Sequence, residues 1–213
     1  MRALLVALLA LCVGGPALAD EEPRYEVVRS TSDFELRQYA PYAVVETTAG
    51  GELDSARSAA FQRLFAYISG SNRSQQKIEM AVPVVVKPAG EKIEMTAPVV
   101  TRLAGDAGIL MQFVLPSRFD AGRAPQPTDP ELRIRDVASQ SIAARRFSGR
   151  PSESNYRDNE AKLLAALYDA GLVATDVPRF AFYNPPFTPW FMRRNEVLVP
   201  VARTQPGAGP AGS

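Results

Sequence analysis

One pattern constrains the fold of this chain more than any other: the succession strand, strand, helix, strand, strand is legible twice, at an offset of roughly a hundred residues. In the first half, residues 25–29 (YEVVR) and 34–39 (FELRQY) alternate apolar and polar side chains, as half-buried strands do. Thr31, Ser32 and Asp33 supply turn chemistry between them, and residues 42–48 (YAVVETT) form a third strand closed by Gly50 and Gly51. The period then lengthens. Residues 54–69 read as a helix capped by Asp54 or Ser55 and stopped by Gly70, with Phe61, Leu64, Phe65 and Ile68 on its core face.

Two near-copies of one strand follow, residues 77–84 (KIEMAVPV) and 92–99 (KIEMTAPV), fifteen residues apart. Lys87, Pro88, Ala89 and Gly90 suit a type I turn between them. Matching their apolar faces sets Val82 opposite Met95 and Val84 opposite Ile93 in a hairpin. Residues 109–116 (ILMQFVLP) are apolar enough for a central strand. The second half then repeats the plan, with strands at 132–136 and 140–147 and a helix at 152–170. Ser152 caps that helix, Tyr156, Leu163, Leu164 and Leu167 form its core face, and Gly171 stops it. Residues 180–184 and 196–202 are the last strands, joined by a Pro/aromatic loop at 185–192 (PPFTPWFM). Hairpin-length connections leave no room for parallel crossovers, so the expected class is α+β with antiparallel pairing in two duplicated halves.

The N-terminus reads as an export signal. Met1-Arg2 is a short basic start, residues 3–13 are an apolar run, and Ala17-Leu18-Ala19 is a small-x-small cleavage site. The apolar run is about half the ~20 residues that a membrane span needs. A lipoprotein signal is the rival, since Leu9 stands three residues before Cys12, but Leu11 is too bulky for the position before a lipidated cysteine. The expectation is therefore a signal peptide over residues 1–19, a single ligand-binding domain over 20–203 and a disordered Pro/Gly/Ala tail over 204–213, with a periplasmic or secreted destination. Pro-rich residues 121–130 read as a surface loop.

Cleavage removes Cys12, the only cysteine, so no disulfide is available in the exported chain. It also removes Arg2, leaving 23 basic against 23 acidic residues. A neutral balance argues against nucleic acid as a partner, because phosphate binding needs clustered surplus Lys and Arg. No later segment is long and apolar enough for a transmembrane anchor.

The paired KIEMAVPV and KIEMTAPV, the stretch FVLPSRF at 113–119, and YNPPFTPWFMRRNEV at 183–197 resemble the SOUL haem-binding protein family over about residues 25–201. The resemblance implies βαββ-like halves forming a distorted antiparallel β-barrel flanked by two helices, a fold shared with bacterial effector-binding domains. It also implies a shallow apolar groove, beside the first helix, for haem or a related tetrapyrrole. Phe61, Leu64 and Phe65 are then the floor of that groove. Tyr183, Phe187, Trp190 and Phe191 are dense enough in one loop to be its lip, though packing of the loop on the barrel accounts for them equally well. Arg193 and Arg194 suit propionates, because a guanidinium fork matches a carboxylate, and suit a structural bond to the last strand as well.

Haem iron is usually held by His, Cys, Met or Tyr, and the exported chain has neither His nor Cys. Met80, Met95 and Met111 lie at core-facing strand parity, which leaves Met192 as the open methionine. Binding of haem is thus expected to be weak and to run through the porphyrin edge. The absence of histidine removes Ser-His-Asp and Cys-His catalysis, and Glu79 and Glu94 lie on the Lys-bearing, solvent face of their strands. The reading is a non-enzymatic binder of a flat hydrophobic ligand. The alternatives are an envelope module whose groove takes a peptide or protein partner, and a hydrolase built on a buried Glu and Tyr.

Overall fold

The computed structural model describes residues 22–88, 108–150, 152–185 and 187–203. The elements are β1 (Tyr25–Ser30), β2 (Glu35–Tyr39), β3 (Tyr42–Ala49), α1 (Leu53–Ile68), β4 (Val84–Pro88), β5 (Ile109–Val114), β6 (Arg133–Val137), β7 (Gln140–Phe147), α2 (Glu153–Asp169), β8 (Leu172–Ala174), β9 (Arg179–Phe182) and β10 (Asn195–Arg203). Every strand pairing is antiparallel. The strands form one curled sheet, a distorted half-barrel in the order β1-β2-β7-β10-β9-β4-β5-β3-β6, with β8 appended to β10.

The register assigns every residue to a face. Ala43 and Val45 of β3, Val86 of β4, and Met111 and Phe113 of β5 are buried beneath α1. Leu36 of β2, Ala143 of β7, Phe180 of β9, and Val197 and Val199 of β10 are buried beneath α2. Phe180 and Phe182 pair with Val86 and Val84, so both helices lie on one face and flank a seam over β9 and β4. The opposite face carries its own core of Tyr39, Ile142, Ala144, Ala181, Tyr183 and Leu198, continued by Val44, Ala81 and Val114.

The strand and helix positions follow the expected ones within a residue or two, except around the first KIEM copy. Residues 77–83 are not a strand; pairing begins at Val84, after Pro83, which has no N–H to give to a ladder. Ile78 and Ala81 of that segment are nonetheless buried, whereas Met80 is 38% exposed instead of core-facing. The expected turn begins inside β4, and Ala89, Gly90, the second copy and Met95 lie outside the described residues. The described partners of β4 are β5 and β9. Gly108 opens β5 where a Cβ would stand 2.3 Å from the Ala49 carbonyl oxygen, so only glycine lets that strand begin against the end of β3.

Helix α1 starts at Leu53, and its cap position is Glu52 with no side-chain cap bond; Ser55 instead donates its hydroxyl to the Glu52 carbonyl at 2.8 Å. Its buried stripe is Ala56, Ala60, Leu64, Tyr67 and Ile68. Phe61 and Phe65 each stand one position past a member of that stripe, on the flank of the helix. Ser152 caps α2 as expected, accepting from the Asn155 N–H at 3.3 Å. On α2 the buried set is Tyr156, Asn159, Glu160, Leu163 and Leu167, with Leu164 only half-buried.

The face away from the helices holds a buried ion pair. Arg37 of β2 grips Glu196 of β10 with two bonds, Nη1 to Oε2 at 2.7 Å and Nη2 to Oε1 at 3.0 Å. Tyr183 donates its hydroxyl to Oε2 at 2.7 Å, and Arg194 donates Nε to Oε1 at 3.1 Å. Arg194 also pairs with Glu22 and lies 3.8 Å over the Tyr183 ring, while Arg37 lies 4.6 Å over that of Tyr25. Burial works to raise the Glu196 pKa, but the bonds and charge of Arg37, with the Tyr183 hydroxyl and Arg194, hold it below its ordinary 4.5.

Replacing Glu196 with Gln removes the buried counter-charge of Arg37 and leaves it only the partly exposed Glu35, which is expected to cost about 3 kcal/mol, read as a lower urea midpoint. A depressed carboxylate stabilises fully above its unfolded pKa and loses that contribution as pH falls through the folded one. The native chain should therefore begin to lose stability below about pH 4.5, and Glu196→Gln should remove much of that acid sensitivity.

Candidate functional site

The outward flank of α1 carries Arg57, Phe61 and Phe65 at successive i, i+4 positions, one continuous stripe along the helix. Phe61 is 38% exposed and Phe65 49%. Their rings are stacked, with centroids 5.9 Å apart and planes 11° from parallel, and Phe61 sets an edge contact on buried Phe113 at 5.4 Å. The Arg57 guanidinium lies 5.3 Å over the ring of Phe182, the last residue of β9. Phe182 and Leu53 pack against the cores beneath both helices, so this stripe runs to the seam between α1 and α2.

From the α2 side, the Tyr156 ring approaches Phe182 at 5.7 Å. Its buried hydroxyl makes no hydrogen bond of ordinary geometry among the described residues, but it faces the Arg57 guanidinium. Burial pushes the Tyr156 pKa up to about 12; the charge and side-chain hydrogen bonding of Arg57 and, more weakly, the charge of Arg193 oppose that shift, and Asp54 adds to it. The seam thus combines an exposed aromatic surface with guanidinium groups above a buried phenol. Such a surface can hold a flat apolar face and receive an anionic group at one end.

The expected site residues divide into three sets. Phe61 and Phe65 present surface on the α1 flank. Leu64 is wholly buried in the core beneath α1, and Tyr183 is buried on the opposite face in the Glu196 network, so neither offers surface to a ligand at the seam. Phe187, Trp190, Phe191 and Met192 are 85%, 51%, 61% and 65% exposed, the last three in a single 3₁₀ turn. Trp190 makes an edge contact with Phe191, and no ring contact among the described residues joins this loop to Phe61 or Phe65. Arg193 donates Nε to the Thr188 carbonyl at 2.8 Å.

Arg57, Phe182 and the Tyr156 hydroxyl were not singled out from sequence. The i, i+4 step back from Phe61 was a signal for Arg57; nothing local set the hydroxyl apart. A cleft of about 590 Å³ also opens at the other end of the molecule, between residues 22–24 and the ends of β3 and β5. Its carboxylates are already engaged, Asp120 by Arg123 and Asp136 by the Ala121 N–H, and it contains none of the expected residues.

Two chemistries can be weighed against this geometry. Among the described residues no group of three His, Cys, Asp or Glu could hold a metal ion; Met111 is buried, while Met80 and Met192 are exposed. The buried Glu and Tyr of an acid–base reading exist, as Glu196 and Tyr183. Both Glu196 oxygens, however, accept two bonds each, its carboxyl is held ionised, and burial with the Glu196 charge drives the Tyr183 pKa upward. The pair is saturated and serves the sheet.

Truncation should separate the two faces of α1. Leu64→Ala is expected to cost about 2–5 kcal/mol in denaturant unfolding, whereas Phe65→Ala, half in solvent already, should cost about 1 kcal/mol.

The model of a family described as SOUL heme-binding protein matches residues 20–91 and 86–200. Heme-binding protein 1 of Xenopus laevis is 29% identical over 165 residues, covering 77% of this chain and 81% of that protein. Heme-binding protein 2 of Homo sapiens is 27% identical over 179 residues, covering 81% and 80%. Among solved structures, EcmrR in its DNA complex superposes with a TM-score of 0.59 at 9% identity over 79% of this chain, which spans 57% of that one. A hydrolase from Listeria innocua superposes with a TM-score of 0.55 at 11% identity, over 82% and 94%. At such identities the likeness to solved structures is one of fold.

Proposed function

Because the chain belongs to the SOUL heme-binding protein family, we propose that it binds haem or a related flat tetrapyrrole, without catalysis, on the seam between α1 and α2. The observation that carries this reading is the half-exposed Phe61–Phe65 stack, an aromatic surface that a soluble helix would ordinarily bury. A macrocycle laid on it would have the Arg57 and Arg193 guanidinium groups near its carboxylates. The residues present suit the porphyrin better than its iron. With His absent from the whole sequence and Cys confined to the leader, Met thioethers remain, with Tyr phenols and Lys amines as weaker donors, so the ring and not the metal should supply the affinity.

Titration of the leader-free chain should give dissociation constants within a few-fold of one another for hemin, zinc protoporphyrin and metal-free protoporphyrin. Phe61→Ala and Phe65→Ala should each weaken all three about tenfold, equivalent to about 1.4 kcal/mol. Affinity no better than that of an unrelated protein, or unchanged in both variants, would overturn this site.

The same reading includes export, on the strength of the basic start, short apolar run and Ala17-Leu18-Ala19 of the leader. Expressed with its leader in a Gram-negative host, the protein should be recovered from the periplasm with Asp20 as its first residue by intact mass. An uncleaved cytoplasmic product would refute export.

A further inference from the structure

We propose that the loop at residues 187–192 docks the protein on an anionic phospholipid surface. The loop exposes Phe187, Trp190, Phe191 and Met192 within six residues, a denser apolar display than scattered surface side chains. That display is built into an ordered backbone. Thr188 donates its N–H to the Pro185 carbonyl at 3.0 Å, Met192 to Pro189 at 2.9 Å, and Gly149 to Trp190 at 3.0 Å, while Arg193 Nε holds the Thr188 carbonyl. A loop free to collapse could cover its own aromatics; this one is held with them in solvent.

Charge selects the partner. The loop is bonded to the segment around Gly149, and neither stretch holds a carboxylate: no Asp or Glu lies between Asp136 and Glu153, or between Asp176 and Glu196. These stretches carry Arg145, Arg146, Arg150, Arg193 and Arg194; Arg145 is paired with Asp33 and Arg194 with Glu22 and Glu196, while Arg146 and Arg150 are exposed. An apolar tip of Trp, Phe and Met bonded to a segment with exposed arginines matches a bilayer interface. The aromatics enter at headgroup depth and the guanidinium groups meet lipid phosphates. The proposal concerns the loop and is independent of what the seam binds.

Trp190 is the only tryptophan in the sequence, so its fluorescence reports the loop directly. The test uses the chain without residues 1–19, whose apolar run would itself partition, and vesicles of phosphatidylglycerol or phosphatidylcholine. On phosphatidylglycerol vesicles the emission should shift to the blue, iodide quenching should fall several-fold, and added salt should weaken binding. Phe187→Ser with Phe191→Ser should reduce the bound fraction at least tenfold with an unchanged thermal midpoint. Arg146→Gln with Arg150→Gln should remove the preference for the anionic lipid. No co-sedimentation with either vesicle, or co-sedimentation with Trp190 still open to iodide, would overturn the proposal. So would protection of Trp190 by a concentration-dependent dimer in the absence of lipid, or by porphyrin.

Discussion

Arg37 and Glu196 stand 159 positions apart in the chain and meet across β7, the strand that separates β2 from β10. A carboxylate buried to that degree is tolerated only if its lone pairs are filled, and here two guanidinium groups and a phenol fill them. The geometry binds three strands to one register, because a slip of one residue would carry Glu196 to the helix-covered face, away from the groups that bond it. Through Arg194 and Glu22 the same network fastens the chain entering β1 to the start of β10. The two halves of the repeat are therefore held together by charge on one face and by Phe182 and Leu53 on the other.

That arrangement decides what the molecule offers to a ligand. On the face with the ion pair the Glu196 carboxylate is fully bonded, and the cleft lined by Glu22, Tyr42 and Val114 opens beside that network. The other face is divided between two helices, and the buried stripe of α1 is Ala56, Ala60, Leu64, Tyr67 and Ile68. Phe61 and Phe65 each fall one position past a member of that stripe, a turn of about 100° that carries them to the flank of the helix. The exposed aromatic surface thus follows from the phase of the buried stripe.

Most of the fold was legible in the sequence, and the exceptions have physical causes. Alternation marked β1 and β2, and helical spacing with Ser152 and the terminal glycines marked α1 and α2. Three-residue β8 was too short to leave a periodic signal. The segment before Pro83 alternates like a strand, but alternation records which side chains are buried and not whether the backbone finds a partner. On α1, periodicity favoured the bulkiest apolar residues as the core face, whereas the buried stripe runs through Ala56 and Ala60. Tyr183 read as part of an aromatic loop because its partner Glu196 looks, locally, like the first residue of an ordinary strand. Pairs of this kind become visible only when strand order brings distant positions together.

Among the described residues the curled sheet does not close on itself, and β1 and β6 are its margins. Val27 and Val28 of β1 are each about half exposed, which would ordinarily invite another chain to extend the ladder. Two features discourage it. The register shift between Val27 and Arg29 bends β1 away from a regular hydrogen-bonding line, and Glu26 and Arg29 place charge along it. At the far margin, Arg133, Arg135 and Asp136 do the same for β6. An open sheet margin is prone to pair edge to edge, and these few residues at its rims oppose that pairing.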